Sequence, residues 1–110
     1  MKYVEVQEML NKLDEKFFTE SKIEIYPETI NNDLPDVCSL EIWLHDKDQR
    51  DDTIAYLEIN DGDDKNYRIK RYYSYKPELE KQSKIAFFEL QKRLIIFLNN
   101  RIEEEINNGN

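Results

Sequence analysis

Side chains able to carry out covalent or metal chemistry are scarce in this chain. His45 is the only histidine, Cys38 the only cysteine, and Gly62 and Gly109 the only glycines. His45 is followed by Asp46 and has the type of a general base, but no serine or cysteine stands in a motif that such a base would activate. A non-catalytic chain is expected. One histidine and one cysteine cannot complete a typical structural zinc site, and two glycines leave no room for a dinucleotide or phosphate-loop fingerprint. No cofactor and no metal are expected. The acidic stretches "DKDQRDD" and "NDGDDKN" resemble calcium loops only in composition. Counted from Asp46, the fifth position is Arg50, the sixth Asp51 and the twelfth Leu57, where an EF-hand needs a ligand, a glycine and a glutamate. Solvated turns account for both stretches.

Binding chemistry is better represented. Residues 65–76, "KNYRIKRYYSYK", contain five cations, four tyrosines and no carboxylate, within a chain of formal net charge -8. Arg68, Lys70 and Arg71 with Tyr72 could contact phosphates and stack bases, which makes nucleic-acid binding through this segment the alternative reading. The global balance opposes it. Twenty-four acidic against 16 basic residues and a pI near 4.7 disfavour attraction to phosphate or to an anionic membrane. Nucleic acid is therefore an unlikely partner, and the carboxylates across the sheet are expected to neutralise the basic segment.

These residues must be positioned by a fold of the α+β class, a two-layer single domain over residues 1–110. Tyr3, Val6, Leu10, Leu13 and Phe17 recur at steps of three and four, one stripe of a helix over residues 3–18. Alternation then takes over. Ile23 and Ile25 mark a first strand ended by Pro27, and 28–37 form a loop. Leu40, Ile42 and Leu44 alternate with Glu41, Trp43 and His45 in a second strand. Ala55, Leu57 and Ile59 alternate with Ile54, Tyr56 and Glu58 in a third. A turn at 62–64 keeps apolar residues on one face by pairing Leu57 with Ile69 and Ile59 with Tyr67. The other face then pairs Glu58 with Arg68, Tyr56 with Lys70 and Ile54 with Tyr72. Arg71 falls on the inner face, so the fourth strand should end or bulge there. The order is an N-terminal helix, a four-stranded antiparallel meander and a long C-terminal helix. That helix starts at Pro77, continues to about Ile106, and leaves 107–110 as a frayed tail.

This architecture gathers Tyr26, Trp43, Tyr56 and Tyr72 on the outer sheet face with Glu24, Glu41 and Glu58. Such a row suits a protein partner, one with a basic surface, because Trp and Tyr anchor interfaces. The competing expectation places the long helix over this face and makes the row part of the core. On the long helix, Phe88, Ile95, Ile102 and Ile106 form a stripe beyond what one sheet face needs. They are expected to make a homodimer contact unless Leu10, Leu13 and Phe17 of the first helix cover them. Charges interrupt the first ten residues, unlike a secretory signal, and the longest apolar run, Leu94 to Leu98, is far short of the ~20 residues that span a bilayer. A cytoplasmic protein with no membrane association is expected. The abundance of Lys, Asn, Ile and Tyr points to an AT-rich coding sequence, as in low-GC bacteria and their phages. The overall expectation is a small acidic interaction module encoded by a phage or mobile element. It would modulate or inhibit a host protein, in one version by imitating nucleic acid at a basic groove.

Overall fold

The apolar stripe of the first segment forms a shorter helix than its spacing suggests. The computed structural model, which describes residues 1–108, ends helix α1 (Tyr3–Asp14) four residues early. The N–H groups of Lys16 and Phe17 both donate to the Leu13 carbonyl, and the Thr19 hydroxyl donates to the Asp14 carboxylate. These bonds turn the chain into strand β1 (Phe18–Ile25). Phe17 leaves the helix but stays in the core, 2% exposed beside Val6 and Leu13. The early part of β1 carries Thr19, Glu20 and Ser21, a polar run that gives no alternation to read.

A single turn of 3-10 helix at Pro27–Thr29 interrupts the following loop. Strand β2 (Val37–His45) begins earlier than expected; Val37, assigned to a loop from the sequence, is fully buried. Strands β3 (Thr53–Asn60) and β4 (Asn66–Arg71) follow, then helix α2 (Pro77–Asn108). Pro77 and the first-turn Glu78 and Glu80 suit a helix N-terminus, where an N–H is dispensable and negative charge is favoured. The strands lie in the order β1-β2-β3-β4. Leu57 faces Ile69, Ile59 faces Tyr67, Glu58 faces Arg68 and Tyr56 faces Lys70, the register that keeps apolar residues together. The Tyr72 N–H adds one more bond to the Ile54 carbonyl, at 3.1 Å.

All four strands turn one face toward the helices. Leu40, Ile42, Leu57 and Ile59 are fully buried with Leu79, Leu90 and Phe97 of α2 in one cluster, and the Phe97 ring meets Tyr67 edge-on at 5.9 Å. Arg71 sits on this inner face, as its register requires, and β4 ends there. Its guanidinium donates to the Ser83 hydroxyl at 3.2 Å and to the Glu80 carboxylate, so a charge at an inward position is matched by polar groups on α2. Because α2 lies on the inner face, the expectation that it buries the outer aromatic row does not hold.

At about 1.5 Å per residue, the 32 residues of α2 account for most of the 51 Å long axis of the molecule. Its last described turns pass the sheet: residues 102–107 are all exposed. Residues 107 and 108, expected to begin a frayed tail, continue the helix through Asn108; Gly109 and Asn110 lie outside the described residues. Among these, no helix is long and apolar enough to cross a membrane.

Candidate functional site

The outer face of β2 and β3 is built around one aromatic pair. Trp43 and Tyr56 are direct cross-strand partners, with ring centroids 5.4 Å apart and planes inclined at 44°. The Tyr56 hydroxyl lies 2.9 Å from Glu41 Oε1 and 3.2 Å from Glu58 Oε2. One hydroxyl proton thus serves two carboxylates that themselves face each other across the ladder. Partial burial, together with hydrogen bonding to Glu41 and the charges of Glu41 and Glu58, pushes the Tyr56 pKa well above the usual tyrosine range. Trp43, Tyr56, Glu41 and Glu58 are half-buried, on the sheet face opposite the one that packs with α2 in the core. The arrangement gives an aromatic platform bordered by negative charge. On the adjoining edge strands, Glu24 is exposed with Lys22 3.9 Å away, and Tyr72 lies under the Lys70 ammonium, 5.0 Å from its ring centre.

The residues expected to act together are partly dispersed. Tyr26 leaves the row, because the pairing of β1 with β2 shifts between Glu24 and Ile25. Its hydroxyl donates to the Asp61 carbonyl at 2.7 Å, and it lines a polar cleft with Met1, Asp36, Asp61 and Arg101. Burial first, and then Asp61, raise its pKa. Asp61 is buried there, its carboxylate paired with Arg101 and reached by the Tyr67 hydroxyl at 3.4 Å. Arg71 turns inward, as described, and so leaves the basic patch. Arg68 and Lys70 remain exposed. Neutralisation of Arg68 by its neighbour is not seen: Glu58 stands opposite in register but turns its carboxylate to Tyr56. Among the described residues, no ion pair holds Arg68 or Lys70.

Two aromatic residues missed from the sequence stand out beyond β4. Tyr73 is 78% and Tyr75 98% exposed, with the Arg71 guanidinium 4.8 Å from the Tyr73 ring centre. The density of tyrosines in "KNYRIKRYYSYK" is the available signal, but the alternation that marks a strand reaches only Tyr72, where pairing stops.

His45 and Cys38, the candidates for covalent chemistry, lie apart. His45 and Ile54, both expected on an open face, are buried, because the ladder between β2 and β3 shifts at Leu44 and His45. The His45 ring contacts Phe18 at 5.7 Å, and the Arg50 guanidinium lies 4.5 Å over Phe18 in turn. Nε2 of His45 is 3.3 Å from Glu20 Oε1 without hydrogen-bond alignment, and Nδ1 is 3.5 Å from the Thr53 hydroxyl. Cys38 stands seven residues back along the same strand, about 23 Å away at ~3.3 Å per residue. Its thiol contacts the Glu24 carbonyl at 3.4 Å, and burial, then Glu24, raise its pKa. The acidic turn after β2 uses its first carboxylate internally, since Asp46 Oδ2 accepts the N–H groups of Asp48 and Gln49. Among the described residues, no three His, Cys, Asp or Glu side chains group as a metal site.

Comparison with protein-family models, with curated proteins and with solved structures finds no match to this chain.

Proposed function

We propose that this chain is a non-catalytic interaction module that binds a protein partner with a cationic surface through its outer sheet face. The observation that carries this reading is the Trp43–Tyr56 pair, half-buried on the outer face, with its rings in contact and the Tyr56 hydroxyl held by Glu41 and Glu58. A preformed aromatic pair loses little side-chain freedom on binding, and Trp and Tyr supply much of the energy of protein interfaces. The flanking carboxylates suit Lys and Arg side chains of the partner. A host protein with a basic nucleic-acid groove fits that description, and modulation or inhibition of such a protein by a phage or mobile element is the specific form proposed. The exposed stripe of Phe88, Ile95 and Ile102 on α2 supports a second element of the proposal, self-association of the module.

Nucleic-acid binding is kept as the second reading because Arg68 and Lys70 carry no ion pair and adjoin Tyr72. The net charge of -8 makes it the weaker one.

Capture from a nuclease-treated bacterial lysate tests the choice, with the native chain, Trp43→Ala and Arg68→Glu as baits and mass spectrometry as the readout. The proposal expects a protein held by the native chain and by Arg68→Glu but lost with Trp43→Ala. Equal capture by all three baits would remove the outer face from the account. Binding of purified chain to single-stranded DNA or RNA at physiological salt, abolished by Arg68→Glu, would put the second reading first.

A further inference from the structure

We infer that two copies of this chain associate through α2, with the helices antiparallel and a two-fold axis beside Ile95. The inference rests on the self-association reading above and specifies its geometry. Ile85, Phe88, Ile95, Ile102 and Ile106 are 39–62% exposed. Lys92 and Asn99, also exposed, fill the two gaps, so the seven positions run in steps of three and four along one strip of the helix.

That strip reads nearly the same from either end. Phe88 and Ile102 stand seven residues to either side of Ile95, and the polar Lys92 and Asn99 stand three before and four after. A two-fold interface uses one patch on both copies, so it must complement itself when reversed. With the axis at Ile95, Phe88 of one copy approaches Ile102 of the other, and Lys92 approaches the Asn99 side-chain carbonyl. A parallel arrangement instead sets Lys92 against Lys92.

Charge selects the same orientation. Lys81 and Lys84 precede the strip, and Glu103 and Glu105 flank its far end; all four are exposed. Among the described residues, neither lysine nor Glu103 is held in an ion pair, while Glu105 reaches Arg101 at 3.6 Å. Antiparallel packing brings the lysines of each copy to the glutamates of the other and opposes the helix dipoles. Parallel packing would crowd both acidic ends together. The overhanging turns after Arg101 then lie along the partner's Lys84–Phe88 segment.

Sedimentation of the full chain, followed by disulfide trapping in a Cys38→Ser background, tests this. A dimer at high micromolar concentration is expected, and Ile95→Arg should weaken it about tenfold or more with unchanged circular dichroism. Phe88→Cys mixed with Ile102→Cys should form a mixed disulfide efficiently, and either alone should form little. Raised salt should weaken the dimer, as expected of exposed charge pairs. A monomer at that concentration overturns both self-association and its geometry. A dimer that traps Phe88→Cys with itself, and Ile102→Cys with itself, keeps self-association and overturns the antiparallel assignment. A dimer indifferent to Ile95→Arg overturns the use of α2.

Discussion

The two faces of the sheet are made by the same strands yet have opposite fates. On the inner face Leu40, Ile42, Leu57 and Ile59 have no exposed surface; their apolar area is removed from water by folding itself. On the outer face Trp43, Tyr56 and Tyr72 keep part of theirs in water, although Tyr56 is as firmly hydrogen-bonded as many core residues. The difference shows that order and burial are separable here. Inner residues are ordered because they are buried, whereas Tyr56 is held by two carboxylates and keeps part of its surface in water.

Mutations on the two faces should therefore differ in kind. Leu57→Ala should have the largest effect, about 2–5 kcal/mol lost in chemical denaturation, through lost transfer energy and a cavity under α2. Trp43→Ala should cost only about 1 kcal/mol, the scale of an aromatic pair, while weakening partner binding by about 2 kcal/mol. A stability loss for Trp43→Ala as large as that for Leu57→Ala would erase the contrast between the faces.

Tyr56→Phe sharpens the comparison further. Without its proton, Glu41 and Glu58 face each other unbridged, and stability at neutral pH should fall by about 1 kcal/mol. Its pH dependence has a definite sign. The folded-state pKa of Tyr56 is raised above the ordinary 10.0, so its contribution is complete below that pH. The contribution is lost as pH rises from there toward the folded-state pKa. Native protein should lose stability above pH 10 more steeply than Tyr56→Phe does, as followed by denaturation at stepped alkaline pH. Arg68→Glu should have the smallest effect, about 0.5 kcal/mol from like charges opposite Glu58, since no ion pair is broken. A loss several times larger would show that Arg68 is held by Glu58 in solution.

How far the sequence carried the reading depends on the kind of signal. The β3–β4 register was legible because apolar residues had to share a face across the acidic turn at Asp61–Asp64, and a slip of one residue reverses every side chain. The inward position of Arg71 followed from that register. The shifts at Glu24–Ile25 and Leu44–His45 left no such trace: one extra residue in a ladder changes no periodicity that a short strand can display. They moved Tyr26 out of the row and buried His45 and Ile54. The early end of α1 was hidden as well, since Phe17 keeps helical spacing while packing from outside the helix. The Tyr56 bridge to Glu41 and Glu58 needed the cross-strand geometry, although all three were placed on the right face.

Collisional quenching of Trp43, the only tryptophan in the chain, tests the central claim most directly. Neutral acrylamide reports whether the outer face is open; cationic caesium and anionic iodide report which charge surrounds it. An open face bordered by Glu41 and Glu20, which is the cross-strand partner of Trp43, predicts efficient quenching by acrylamide and, relative to a free tryptophan standard, stronger quenching by caesium than by iodide. Protection from acrylamide in the folded monomer, or a preference for iodide, would contradict it: the first because the face is covered, the second because Arg68 and Lys70 rather than the carboxylates set its character.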